Sequence, residues 1–325
     1  MKPVFVALLH NLSITEDLGV GDKINETLRI TNNRDVIANL LRSAHRKIMG
    51  EMEVAALLTG APVLFAEAPI RSDMSPHQYL HSRLHEIQSF LMTTWLFQDN
   101  AINCELGFVL YANGPVETAT SNFLAHLYST ARCEMPHTSL SREQLREMRK
   151  LHREALSPPD HPFDRPVSQL TSTQPRVTRA IYLVNAARGA PDIGMKVAHY
   201  CTGFETLFAT SQTELAHQLS ERVACYLHQS PEDRLTAYHC VKAAYALRSK
   251  VVHGSTLRKE KLDDALATSE SCDTVARQLL RRILTDAESQ RLFERNSEAF
   301  EEAMLKLIFA RSAGDHTTES SSRSK

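Results

Sequence analysis

The sequence is short of most features that would settle a functional class quickly. Its six cysteines, at 104, 133, 201, 225, 240 and 272, form no Cys-x-x-Cys pair and no Cys/His grouping of zinc-finger spacing. Free thiols in a reducing cytosol are therefore the expected state. No stretch approaches the run of about 20 apolar residues that a membrane span needs, so no membrane partner is expected. An excess of one charge is also missing. Lys and Arg number 37 against 38 Asp and Glu, a formal net charge of −1. A broad electrostatic grip on nucleic acid is excluded, and any contact with RNA has to be local. There is no Gly-x-Ser-x-Gly, P-loop or His-Glu-x-x-His motif. Gly19-Val-Gly21 lacks the third glycine of a dinucleotide fingerprint and reads as a turn. The apolar start, Met1 to His10, meets Glu16 and Asp17 without a small-residue cleavage site, so it reads as a strand rather than a leader. The expectation is a soluble, cytoplasmic chain with no internal repeat.

What is present is length and a change of pattern. With 325 residues the chain can hold two domains with real cores. In the first part, Val4–Leu9, Leu28–Ile30, Val63–Phe65 and Cys104–Tyr111 read as short strands, the last ended by the turn Asn113-Gly-Pro115. Asp35–Ile48 reads as one helix with Ile37, Leu40 and Leu41 inward. A second helix is expected from Pro76 to about Phe97, and a third from Ser139 to about Ala155 with a capping box at Ser141-x-x-Gln144. Four prolines between Ser157 and Pro166 break the pattern. Beyond Gln174 the periodicity is helical throughout, with helices expected near 176–187, 192–209, 212–228, 231–253, 261–285 and 286–310, as in an antiparallel bundle. The expected fold class is α+β. A mixed α/β domain over 1–156 is followed by a Pro-rich linker over 157–175, an all-α bundle over 176–310 and a disordered polar tail over 311–325.

Three pairs place a histidine five residues after an arginine: Arg132/His137, Arg234/His239 and Arg248/His253. Context separates them. Pro136 keeps the first out of a helix. Arg234 falls in a helix start signalled by Ser230, Pro231, Glu232 and Asp233, which leaves His239 mid-helix on a solvated surface. Arg248 shares a face with Tyr238, Val241, Tyr245 and Val252, and His253 stands just before Gly254, the usual residue past a helix C-terminus. The bland reading of this third pair is an arginine paired with Glu205 inside the bundle and a histidine that caps its helix.

The order Phe204-Glu-Thr-Leu-Phe208, Leu219-Ser-Glu-Arg-Val-Ala224 and Ala244-Tyr-Ala-Leu-Arg-Ser-Lys-Val-Val-His-Gly254 resembles the HEPN domain, particularly its Apea-like subgroup, over roughly residues 176–310. Trp95-Leu-Phe-Gln-Asp-Asn100 resembles the N-terminal region that accompanies some Apea-like proteins. The resemblance implies a helical bundle that dimerises so that Arg and His of two subunits face one cleft. It also implies a metal-independent ribonuclease of a defence or stress system, or a member that has lost catalysis. Arg248 and His253 take the catalytic positions and Glu205 a recurrent acidic position. Ser249 stands where active members often carry Asn, Asp or His. RNA would be the substrate, a homodimer through the bundle the working form, and the N-terminal domain a sensor or regulator. No cofactor, no metal and no action on DNA are implied. The alternative is a non-catalytic dimerisation or nucleotide-binding module whose first domain recognises a partner.

Two other constellations carry less. His77, His81 and His85 form one stripe of a helix, as metal ligands can, yet Leu80, Leu84, Ile87 and Leu91 run beside them and no carboxylate or cysteine completes a site. Arg277, Arg281 and Arg282 lie opposite Val275, Leu279, Leu280 and Ile283 and read as a solvated face, with an RNA-contacting rim as the sharper option.

Overall fold

The structure is a computed structural model and describes residues 3–155, 168–171, 173–211, 213–256 and 258–309. The polar tail expected over 311–325 and most of the Pro-rich segment expected over 157–175 lie outside the described residues. The fold is α+β. Two compact units are present: one runs to Ser168 and takes in Arg188–Ala190, the other holds Gln169–Ala187 and everything from Pro191 onward.

The first unit contains β1 (Val4–Leu8), β2 (Leu12–Ile14), β3 (Asp22–Lys23), β4 (Arg29–Thr31), α1 (Arg34–Leu40), α2 (Ser43–Met49), α3 (Glu51–Leu57) and β5 (Val63–Glu67). It continues with α4 (Pro76–Phe97), β6 (Leu106–Asn113), β7 (Val116–Phe123), β8 (Thr138–Leu140) and α5 (Arg142–Ala155). Six strands form one sheet in the order β3-β4-β5-β1-β6-β7, every pair antiparallel. β2 and β8 pair separately and in parallel. Both faces of the sheet are covered, which explains why β1 reads VFVAL without polar alternation. Phe5, Ala7, Leu64 and Val109 pack with Leu80, Leu84, Ile87 and Phe90 of α4 and with Leu145 and Met148 of α5. Val4, Val6, Val63, Phe65, Phe108 and Leu110 pack with Ile37, Leu40, Met49 and Leu57 of α1–α3.

Local chemistry sets the element ends. Ser75 accepts from the backbone N–H of Gln78, whose side chain answers the Ser75 N–H, and Pro76 opens α4. Ser141 and Gln144 make the same exchange ahead of α5. The helix expected over Asp35–Ile48 is instead two, because the chain leaves helical geometry at Leu41 (ψ 88°). Arg46 Nε then donates to the Leu41 carbonyl at 2.7 Å, so a side chain satisfies the interrupted turn while Leu41 stays buried. The third helix starts at Arg142 rather than Ser139, since Thr138–Leu140 is used by β8.

The second unit is helical: α6 (Arg176–Gly189, as far as Ala187), α7 (Ile193–Phe208), α8 (Leu215–Leu227), α9 (Pro231–Val252), α10 (Leu262–Thr285), α11 (Ala287–Phe293) and α12 (Ser297–Phe309), with a 3-10 turn at Lys259–Lys261. No strand occurs among its described residues. The single helix expected over 286–310 is two, because Asn296 turns its side chain onto the Ala299 N–H and starts a new helix. Phe208, Tyr226, Phe293 and Phe300 meet edge-to-face or tilted, with ring centroids 5.4–6.5 Å apart. α9 packs on α7, α8 and α10, with Ala237, Val241 and Ala244 inward. Among the described residues no helix is long and apolar enough to cross a membrane.

Candidate functional site

The site is built at the end of α9. The Ser230 hydroxyl accepts the Asp233 N–H at 3.1 Å, Pro231 occupies the first turn, and Glu232 and Asp233 face the positive end of the dipole. At the other end Gly254 takes φ +73°, where no Cβ has to be accommodated. Gly254 N–H donates to the Val251 carbonyl (3.0 Å) and Ser255 N–H to the Lys250 carbonyl (2.9 Å). This pair of bonds is a Schellman closure. It satisfies the last carbonyls through the backbone and leaves the His253 side chain exposed at the cap position.

Arg248 lies one turn earlier and is partly covered. Its Nη2 is 3.5 Å from Glu205 Oε1 on α7, and its guanidinium lies over the Tyr245 ring at 5.3 Å. The pair is half-satisfied: Arg248 Nε and Glu205 Oε1 are buried without a hydrogen-bond partner among the described residues. Burial pushes the Tyr245 phenol up, and the Glu205 carboxylate adds to this while Arg248 opposes it. α7 begins where the Asp192 side chain accepts the Met195 N–H, and its Gly194 lets α9 approach closely. A Cβ on Gly194 would come within 2.7 Å of Val251 Cγ2.

The bland pairing of Arg248 with Glu205 is thus present within one chain. Ser249 is half-buried, and its carbonyl accepts the His253 N–H at 3.2 Å. Five helical residues amount to about 7.5 Å of rise and about 140° of rotation. Among the described residues no hydrogen bond or ion pair joins Arg248 to the His253 imidazole. One copy therefore presents the two side chains on different sides of its helix.

Charge of one sign gathers around the pair, which the five-residue spacing does not encode. From Arg248 to Lys261 the chain carries five lysines and arginines against the single Glu260. Lys250, Arg258, Lys259 and Lys261 are all exposed. In a chain of balanced charge this is a local cationic segment, legible in the sequence as a run rather than as a motif.

The other motif segments serve packing. Phe204 and Phe208 are core residues. Arg222 is buried and donates to the Phe208 carbonyl (2.7 Å), the Thr210 hydroxyl (2.9 Å) and Glu301. On α10, Arg277 reaches buried Asp273 at 2.7 Å and Arg282 bonds the Tyr226 carbonyl, so only Arg281 of that trio is fully given to solvent. Arg234 Nε donates to the His228 carbonyl, a local tie at the head of α9. The His81 and His85 rings lie 5.1 Å apart on α4, tilted by 53° to one another. Among the described residues no group of three or more His, Cys, Asp or Glu side chains is placed to hold a metal. Compared with protein-family models, curated proteins and solved structures, the chain matches none of them.

Proposed function

We propose that the second unit is a metal-independent endoribonuclease of the HEPN type that works as a homodimer. The observation that carries the reading is the way α9 ends, with an exposed imidazole, a partly open guanidinium and a cationic run within one short segment. RNA brings its own nucleophile. His253 takes the proton from the 2′-hydroxyl as the 2′-oxygen bonds to phosphorus, and the imidazolium so formed returns that proton to the 5′-oxygen as the P–O5′ bond breaks. Arg248 stabilises the charge that builds on the phosphorane, its planar fork matching two phosphate oxygens. The products are a 2′,3′-cyclic phosphate and a 5′-hydroxyl, and DNA is inert. Because one helix directs Arg248 and His253 to different sides, the two roles fall to two copies facing each other across the stripe Tyr238, Tyr245, Arg248 and Val252, from which Val241 is withdrawn because it is buried in the bundle. Incubating the purified chain with labelled RNA and matched DNA, with and without EDTA, tests it. Cleavage of both polymers alike, or loss of activity in EDTA, rejects the mechanism.

A second reading has its own support. Glu205 already neutralises part of the Arg248 charge, and Ser249 is a short side chain half-covered by the bundle. Both suit a non-catalytic module that dimerises or binds a nucleotide. A stable dimer that cuts no RNA in a broad screen would favour it.

A further inference from the structure

We infer that the first unit carries a separate self-association edge, and that strand β7 pairs antiparallel with β7 of a second copy of this chain. β7 is the last strand of the six-stranded sheet. The two-residue turn Gly114-Pro115 makes Asn113 and Val116 a hydrogen-bonded pair, so 111/118, 109/120 and 107/122 are hydrogen-bonded as well. The alternate β7 residues, Glu117, Ala119 and Ser121, therefore turn their N–H and C=O groups away from β6. No described group accepts or donates to them. The next outward N–H, that of Phe123, is closed locally by the Asn122 side chain at 2.9 Å. Three consecutive open donor–acceptor pairs are what another strand requires. Of the devices that usually protect an edge, β7 has only the inward-turned charge of Glu117, with no lysine, proline or bulge in Val116–Phe123.

The sequence of the edge points to its own copy as the occupant. With Ala119 on the two-fold axis, Glu117 lies opposite Ser121 and Thr118 opposite Thr120. All three open pairs then close in both copies, giving six backbone hydrogen bonds by the alternation of an antiparallel ladder. No like charges face each other, and the Thr118–Thr120 contacts fall at non-hydrogen-bonded positions, where side chains come closest. At each end Phe123, 68% exposed, comes opposite Pro115 of the other copy. From behind, Glu117 accepts from Nη1 of Arg42, the cap residue of α2, at 3.3 Å and lies 2.7 Å from His45 Nε2 of that helix.

The full-length chain and four variants test this, three of them by sedimentation at micromolar concentration and the fourth by cross-linking. Ser121→Glu sets a carboxylate opposite Glu117 twice per dimer and should weaken association roughly 2- to 30-fold. Ser121→Lys should hold or tighten it, because the charges are then opposite. Ala119→Pro removes the donor on the axis and should abolish the interface, with circular dichroism confirming that the sheet survives. Thr118→Cys/Thr120→Cys under a thiol oxidant should give a covalent dimer joined between positions 118 and 120. An association that ignores the sign of charge at 121, or links of 118 to itself, would overturn the register. A wild-type chain that stays monomeric, or a β7 edge taken only by a different protein's strand, would overturn self-pairing. The homodimer of the proposed function forms through α9 of the other unit, so the β7 variants read the loss of the β7 step alone, and the 118–120 link forms whether or not the chain cleaves RNA.

Discussion

Arg222 allows the sharpest energetic prediction, because it is buried and its partners are few. Its side chain is 3% exposed and holds the Phe208 carbonyl, the Thr210 hydroxyl and Glu301 together at the junction of α7, α8 and α12. Arg222→Ala leaves the Phe208 carbonyl buried without its donor, at a cost of about 1–3 kcal/mol. The Glu301 side chain is 35% exposed, so water recovers much of its lost pairing, and that share is held to about 1 kcal/mol. The sum is roughly 2–4 kcal/mol, or about 5–15 °C in Tm for a unit of this size. Acid should reveal the same network. Burial alone would raise the Glu301 carboxyl, but the Thr210 hydroxyl and Arg222 outweigh it and hold the group below its ordinary 4.5. A carboxyl depressed in the folded state contributes stability that is full above the ordinary value and is lost as pH falls through the folded one. Thermal unfolding followed by circular dichroism from neutral pH down to about pH 3 should show the wild type losing an increment that Arg222→Ala never had. A melting point within about 2 °C of wild type, with an unchanged acid limb, would refute the network's assigned weight.

Two further substitutions probe the site's surroundings. Gly194→Ala should cost about 1–3 kcal/mol by forcing Val251 away from α7, and a melting curve overlaying wild type would show that α9 yields freely at its end. Glu205→Gln removes the charge 3.5 Å from Arg248, so binding of an RNA analogue that lacks the 2′-hydroxyl should tighten several-fold, on the order of 1 kcal/mol; weaker binding would mean that Glu205 positions the guanidinium rather than restrains it.

The helical half was readable because its signals are local. Ser230-Pro231 and His253-Gly254 mark both ends of α9 by chemistry that acts within one turn. β7 was missed for the opposite reason. Its residues, VETATSNF, are half-exposed and polar, so the strand rests on pairing with β6 rather than on an apolar face. Periodicity also ran through the breaks at Leu41 and Asn296, where a side-chain hydrogen bond stops a helix without proline or glycine. At the site, spacing selected Arg248 and His253, but only the packing of α7 against α9 puts Glu205 beside the arginine. The cationic run to Lys261 was visible as composition and belonged to no motif.

In the proposed reaction Arg248 and His253 cut RNA through its own 2′-hydroxyl. End-group analysis after incubation of labelled RNA with the purified chain in EDTA tests this most directly. The wild type should give 2′,3′-cyclic phosphate ends, Arg248→Ala and His253→Ala none, and a mixture of the two variants should restore cleavage, since each retains the residue the other lacks. Cleavage by His253→Ala at the wild-type rate, or 3′-hydroxyl ends in place of cyclic phosphate, would contradict it.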